Sequence, residues 1–360
     1  MEAFMFNIDF NNPSPQVICH PNYEPLVPGL LEKLKPHDLR DHFILFSSGT
    51  TGGGLKGYAL SKKALFENAK AVNHFFNLTQ HDTWALSLPL YHVGGLSVLM
   101  RAELNKNKVI DARNWDPLLW RKTIEEVTVT STVPTQLYDL VKHNITSPRA
   151  LKYLMVGGDF LSTSLKEEAL KLGWPVIRTF GMSEVCSQLA SSKSPSTDEM
   201  EILPIHEVKT LEGRLLVKSK SLFTLEFILG DELEINYHTD LSTNDDFYLT
   251  KDRAEVKSNL LFPLGRLGEE FKISGHLVNL NQLKDALYTY LLKIGLYEKM
   301  DFLIEKDDRK GNRLILITAP EGQNEDIINE IKELIKPSRI DEVRVSSHLE
   351  RNALGKLKRN

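Results

Sequence analysis

The chain is short of several things, and each shortage removes a class of function. It has two cysteines in 360 residues, Cys19 and Cys186, which form no disulfide framework and no metal or redox spacing. No run of about 18 apolar residues exists to cross a bilayer. The stretch Met1 to Asn11 lacks the basic start and apolar core of a secretory leader, so a cytoplasmic location is expected. Positive charge is not in excess: 44 Lys and Arg stand against 48 Asp and Glu, a net charge of -4, which argues against a general nucleic-acid binder. No internal repeat is present, and no window supplies the Gly, four residues, Gly-Lys, Ser/Thr pattern of a Walker A loop. What remains is a composition of 41% hydrophobic, 26% charged and 8% aromatic residues, ordinary for a globular protein of about two or three domains.

Periodicity orders the chain. Residues 1 to 40 are rich in Asn, Pro and His, with a short helix expected around Gly29 to Leu34. From Phe43 strands and helices alternate. Strands are expected at Phe43–Phe46, Trp84–Leu88, Lys108–Ile110, Val127–Ser131, Tyr153–Val156 and Pro175–Ile177, and helices at Lys62–Phe76, Pro134–Lys142 and Leu165–Leu172. Such alternation predicts a largely parallel sheet with helices on both faces. Its ligands belong beyond the carboxyl ends of the strands. Ser191 to Glu201 is polar and reads as a mobile loop. Short strands at Arg214–Lys218, Leu225–Leu229, Glu232–Ile235 and Phe247–Thr250 then predict an antiparallel sheet or small barrel beside the first. From Phe271 a compact α+β unit of roughly 90 residues is expected. Its helices lie near Leu280–Leu292 and Glu325–Ile335, its strands near Asp301–Ile304, Leu314–Thr318 and Glu342–Val345. The fold class is therefore α/β: a large N-terminal domain of helix-covered sheets with a small sheet or barrel subdomain, then a small α+β C-terminal domain.

The most informative stretch is Ser47-Ser48-Gly49-Thr50-Thr51-Gly52-Gly53-Gly54-Leu55-Lys56-Gly57. Four hydroxyls, five glycines and a lysine follow a buried strand. Glycines let backbone N–H groups approach phosphate oxygens, hydroxyls add donors, and the lysine adds charge. Thr179-Phe180-Gly181-Met182-Ser183-Glu184, placed on a loop after another strand, offers a ring to stack, a hydroxyl for a phosphate and a carboxylate for a divalent cation. Read alone, it is equally an ordinary turn and helix start with Ser183 as N-cap. Gly157-Gly158-Asp159 ends a further strand, where glycines let a flat ring lie against the backbone.

In wording and order these segments resemble the acyl-adenylate-forming (AMP-binding) ligases, whose loop reads Ser/Thr-Ser-Gly-Thr-Thr-Gly, two residues, Lys-Gly. Here three residues stand before Lys56, and Leu55 replaces the usual proline. The resemblance covers about residues 43 to 356 in six motifs. It implies that Ser47, Ser48, Gly49, Thr50, Thr51, Gly52 and Lys56 grip ATP phosphates, and that Gly157, Gly158, Phe180 and Gly181 hold the adenine. It further implies that Ser183 contacts the α-phosphate and Glu184 binds Mg²⁺. His92, in Pro89-Leu90-Tyr91-His92-Val93-Gly94-Gly95-Leu96, matches a histidine that lines the acyl pocket. Asp252, in Thr250-Lys251-Asp252 where the family has Thr-Gly-Asp, matches the carboxylate that accepts the ribose hydroxyls. Arg266 matches an arginine at the nucleotide, and Gly268 stands at the hinge between the domains, which divide at 266/267. Lys356, in Glu350-Arg351-Asn352-Ala353-Leu354-Gly355-Lys356, matches the lysine that reaches into the site during adenylation. With 46 residues before the loop, a subdomain that flanks the large sheet in most relatives is expected to be missing or reduced.

The implied reaction has two steps. A carboxylate attacks the α-phosphate of Mg·ATP to give acyl-AMP and pyrophosphate, and a thiol, that of coenzyme A, then displaces AMP. Within the family the runs after His92 and around Glu184 most resemble the o-succinylbenzoate–CoA ligases of menaquinone biosynthesis. Arg101 is a candidate for a second substrate carboxylate or, alternatively, a solvated helix arginine. Two other readings stay open: a ligase for another aryl or short acyl acid, and a non-catalytic nucleotide-binding relative. The expected partners are small molecules, with no nucleic acid and no membrane span. Whether the chain pairs as a homodimer is left open.

Overall fold

The computed structural model describes residues 8–51, 54–230, 233–237, 239, 242–243, 245–267, 271–273, 276–278, 280–307, 311–347 and 349. In chain order the first part holds β1 (Gln16–Ile18), α1 (Val27–Leu34), β2 (His42–Thr51), β3 (Gly54–Ser61), α2 (Lys62–Phe75), β4 (Thr83–Leu86), α3 (Val93–Asn105) and β5 (Lys108–Asp111). It continues with α4 (Pro117–Thr123), β6 (Val129–Thr132), α5 (Pro134–Lys142), β7 (Tyr153–Val156), α6 (Thr163–Lys171) and β8 (Val176–Met182). The antiparallel run follows: β9 (Ser187–Ser191), β10 (Met200–Ile202), β11 (His206–Leu211), β12 (Arg214–Ser219), β13 (Leu225–Leu229), β14 (Leu233–Tyr237), β15 (Tyr248–Lys257) and β16 (Leu260–Arg266). Last come β17 (Phe271–Ile273), β18 (His276–Val278), α7 (Leu280–Lys293), β19 (Met300–Asp307), β20 (Gly311–Thr318), α8 (Glu325–Leu334) and β21 (Glu342–Val345).

Helix starts follow from the residues that begin them. Ser61 caps α2 by accepting from Ala64 N, Asp116 caps α4 by accepting from Leu119 N, and Pro134 opens α5, where no N–H is needed. The parallel strands run β5-β4-β6-β7-β8, and both faces of this sheet are covered. One face buries Trp120, Leu137, Leu165 and Trp174; the other buries Leu65, Val72, Leu96 and Met100.

The antiparallel region takes the form of a sheet, and it continues the parallel one. Eleven strands form one surface in the order β11-β12-β15-β16-β10-β9-β8-β7-β6-β4-β5. The join lies inside β8. Leu154, Met155 and Val156 of β7 pair in parallel with Val176, Ile177 and Arg178, whereas Thr179 to Met182 pair antiparallel with β9. The segment expected as a loop after Ile177 is thus strand, because a new partner takes over the hydrogen bonds that β7 releases. Likewise β15 runs on to Lys257 along β16. β13 and β14 leave this surface and join a second sheet, β1-β2-β3-β13-β14. The polar stretch after Ser191 is tied down: Asp198 takes Lys166 Nζ at 2.6 Å and Arg178 Nε at 3.2 Å.

The expected 266/267 division falls beside residues 268–270, with Gly268, outside the described set. Beyond it, Leu283, Leu287, Leu291, Met300 and Leu316 belong to the same apolar cluster as Trp120 and Leu165. Tyr297 stacks on Tyr138 with centroids 4.6 Å apart, and Asp285 Oδ1 accepts from Thr163 N, at the start of α6, at 2.7 Å.

Candidate active site

The glycine-rich stretch is a β-hairpin. Its strands pair from His42–Ser61 to Thr51–Gly54, with a break in register between Phe46 and Thr50. Phe46 faces Gly57 and Thr50 faces Leu55, so Ser47, Ser48 and Gly49 together oppose Lys56 alone. A bulge of this kind unpairs backbone amides and redirects them, as bulges beside active sites do. Ser48, Gly49, Thr50 and Thr51 thus lie on β2 at the hairpin tip, and Gly52 lies outside the described residues. Gly57 is required for packing, since a Cβ there would strike the Phe227 ring and the Leu45 carbonyl. Lys56 is held below the tip. Its Nζ pairs with Glu226 Oε2 on β13 at 2.7 Å, both side chains being about nine-tenths buried.

The turn from β8 to β9 carries the second motif. Phe180 is half-buried and packs against the cluster of Leu189, Ala190 and Leu215. Gly181 is exposed, and a side chain there would collide with the Ser187 carbonyl. The N-cap of the short 3-10 turn Ser183–Val185 is Met182, so Ser183 is its first residue and does not cap it. The turn closes through Cys186 at φ 60° and Ser187 at φ 126°, conformations that cost L-residues energy and collect at functional sites. Asn68 Nδ2, donating to Val185 O at 3.0 Å and Gln188 O at 2.8 Å, holds the turn from α2. Glu184 is half-buried, and the Tyr58 hydroxyl donates to its Oε1 at 2.5 Å. Burial, reinforced by the Glu184 charge, pushes the Tyr58 pKa well up, so the phenol stays a donor.

The remaining candidate segments lie on neighbouring strands. A Cβ on Gly157 would strike Thr179 Oγ1, and Gly158 has φ +85°. The pair therefore leaves a flush strip of backbone beside Thr179 and Val133. Asp252 and Arg266, distant in sequence, are direct cross-strand partners on β15 and β16, and Arg266 Nε donates to Asp252 Oδ1 at 3.3 Å. The buried Tyr248 hydroxyl is pushed up first by desolvation, then by the charges of Glu184, Glu226 and Asp252.

His92 caps the backbone of α3, its ring centroid 4.7 Å from that of Tyr91. Gly95 is needed because a Cβ would meet the Pro89 carbonyl. On the same helix Arg101 is not solvated. It is 2% exposed and donates from Nη2 to Ser187 Oγ at 3.2 Å, its guanidinium 5.7 Å from the Trp84 ring. Its Nε has no partner, and among the described residues no carboxylate pairs with it. Burial pulls its pKa down to about 9, which leaves a cation at neutral pH.

Lys356 lies outside the described residues. Sequence reasoning missed Tyr58, Glu226 and Ser187. The available signal for Glu226 was strand alternation, which turns Lys56 inward and so demands a buried anion. Among the described residues no group of three or more His, Cys, Asp or Glu is arranged to cage a metal. That suits Mg²⁺, which takes one or two protein carboxylates and completes its shell with phosphate oxygens and water; Glu184 fits such a role.

Comparison with known proteins agrees with this geometry. Residues 11–209 match the model of the AMP-binding enzyme family. A 2-succinylbenzoate–CoA ligase of Staphylococcus epidermidis is 30% identical over 226 residues, which is 59% of this chain and 46% of that enzyme. The Staphylococcus aureus counterpart is 32% identical over 151 residues, 41% of this chain and 30% of that one. The chain thus spans about half the length of the curated relatives it matches, or less. In fold it is similar to O-succinylbenzoate coenzyme A synthetase from Bacillus subtilis in complex with ATP and magnesium ion. The TM-score is 0.72 at 22% identity, over 88% of this chain and 68% of that one. The McyG A-PCP structure complexed with phenylalanyl-adenylate gives 0.71 at 18% identity, over 89% and 57%. No helix among the described residues is long and apolar enough to cross a membrane. With more than half of its length matched by the family model, the hairpin, the β8–β9 turn and the α/β sheet of this chain identify it as a member of the AMP-binding enzyme family.

Proposed function

We propose that this chain supplies the activity of an AMP-forming acid–CoA ligase, and that its acid is a dicarboxylate of the o-succinylbenzoate type. The observation that carries the substrate reading is Arg101. A buried guanidinium without a carboxylate partner is costly to keep, and an anionic substrate group would relieve that cost. o-Succinylbenzoate has two carboxylates, one to be activated and one left as an anion to be recognised. The reaction class rests on family membership.

In this reading a substrate carboxylate oxygen attacks the α-phosphorus of ATP, the bond to the pyrophosphate oxygen breaks, and acyl-AMP forms. The thiol of coenzyme A then attacks the acyl carbon, and AMP leaves with its phosphate oxygen. Mg²⁺, when bound, would offset the charge of the triphosphate. The residues have separate tasks. By family likeness the stretch Ser47 to Gly52 and the Ser183 hydroxyl meet phosphate oxygens. Glu184 holds the cation, and Gly157, Gly158, Phe180 and Gly181 receive the adenine. Asp252 accepts from the ribose hydroxyls while Arg266 steadies it. His92 lines the acyl side, Lys56 braces the hairpin from beneath, and Lys356 supplies positive charge during adenylation.

The test is ATP–pyrophosphate exchange with o-succinylbenzoate, benzoate and acetate, on the wild type and Lys356→Ala. The expected result is exchange with o-succinylbenzoate only, reduced on the order of 100- to 1000-fold in the variant, as for loss of one well-placed charge-stabilising donor. Exchange with a different acid would overturn the substrate reading and keep the chemistry. No exchange with any acid, despite ATP binding, would favour a nucleotide-binding relative.

A further inference from the structure

The hairpin and the β8–β9 turn are tied together by one side chain outside both motifs. We propose that Tyr58 is a positioning residue: its hydroxyl fixes the direction of the Glu184 carboxylate and so defines where the divalent cation sits. The inference deepens the functional reading above and rests on the cation role given there to Glu184.

Tyr58 is 3% exposed and cannot swing away. Its ring meets the edge of Phe223 at 5.4 Å and 71°, and Phe223 in turn meets Tyr248 at 5.1 Å and 81°. Lys56 Nζ stands 5.0 Å from the ring centroid on the same strand. Phe223 N also donates to Glu184 O at 3.0 Å. The backbone and the carboxylate of Glu184 are therefore held by two aromatic residues that pack on each other. A free glutamate would spread its carboxylate over several rotamers; a single short bond to an immobile phenol selects one. The nearest buried cation does not compete, because Lys56 is committed to Glu226 at 2.7 Å. With Oε1 engaged by Tyr58, Oε2 is the oxygen left for a small cation that prefers one oxygen per carboxylate. Partners that orient a metal-binding side chain in this way typically govern roughly 10- to 100-fold in metal affinity or activity.

The experiment measures ATP binding by calorimetry across a Mg²⁺ series for the wild type, Tyr58→Phe, Glu184→Gln and the double variant, with a melting curve for each. Tyr58→Phe removes one oxygen and keeps the ring, so the melting curve should move little. The expected result is a Mg²⁺ midpoint raised about tenfold in Tyr58→Phe and also raised in Glu184→Gln, with the double variant no worse than Glu184→Gln alone. A wild-type midpoint in Tyr58→Phe, with the shift still present in Glu184→Gln, would overturn the role of Tyr58 and leave the functional reading intact. A double variant whose two shifts simply add would also overturn it, since Tyr58 would then act apart from Glu184. An unchanged midpoint in Glu184→Gln would overturn the cation assignment itself, and the inference with it.

Discussion

Two buried cations, one on the hairpin and one on α3, are treated in opposite ways. Lys56, on the hairpin, meets Glu226 at 2.7 Å, and both side chains are shielded from water. Arg101, on α3, has a serine hydroxyl at 3.2 Å and an indole beside it, and no carboxylate partner among the described residues. The first arrangement is complete in itself and braces a strand. The second is incomplete, and completion by a ligand is the simplest reason for a protein to carry it. The function proposed above therefore rests its substrate reading on the unsatisfied charge rather than on the satisfied one.

The comparison can be broken most forcefully on the hairpin. Glu226→Gln leaves Lys56 buried and unpaired, so urea unfolding should register a loss of about 3–5 kcal/mol. A loss much smaller than that would mean that Lys56 reaches water or another anion. Arg101→Gln should behave in the contrary sense, with stability unchanged or raised. Pyrophosphate exchange with o-succinylbenzoate should weaken by about 1.5–3 kcal/mol in kcat/KM, roughly ten- to a hundredfold, as for a charged hydrogen bond. A falling melting temperature with unaltered kinetics would make Arg101 structural. The effect that is smallest at neutral pH concerns His206, another buried basic group, which avoids the problem by staying neutral. Its Nε2 donates to Gln188 O at 3.0 Å, and burial lowers its pKa from 6.5 to about 4. The unfolded chain therefore binds this proton more readily, and stability should decline as pH falls from about 6.5 towards 4, by at most about 1.4 kcal/mol per pH unit. His206→Asn should flatten that part of the stability–pH curve; an undiminished slope would assign it to other groups.

Much of the architecture was legible because apolar runs bounded by turn residues need no knowledge of their neighbours. Tyr153–Val156, Leu225–Leu229, Glu342–Val345 and Pro134–Lys142 are elements with the bounds expected from sequence. Extents failed where a strand changes partner. Nothing local in Thr179 to Met182 announces that β9 will replace β7, and nothing in Leu225 to Leu229 says that it pairs with β3 rather than with β12. The site shows the same limit. The motif residues could be read in order, but that Asp252 lies beside Arg266 follows only from the pairing of β15 with β16. Tyr58 and Glu226 were invisible because their meaning lies in a partner far along the chain. For Arg101 the sequence left two readings, a carboxylate partner or a solvated helix arginine, and only its burial removes the second.

The contact between the C-terminal unit and α5–α6 bears on timing. Tyr138, Tyr297, Tyr288 and Phe160 form a chain of rings, with Tyr297 to Tyr288 at 4.9 Å and Phe160 to Tyr288 at 6.1 Å. Aromatic pairs are worth about 0.5–1.5 kcal/mol each beyond the area they cover. Any movement of this unit away from α5 and α6 has to peel those rings apart and strip Asp285 from the start of α6. On the function proposed above, with its mobile C-terminal unit, this packing has to be undone in each catalytic cycle, and its tightness would contribute to the tempo of that cycle.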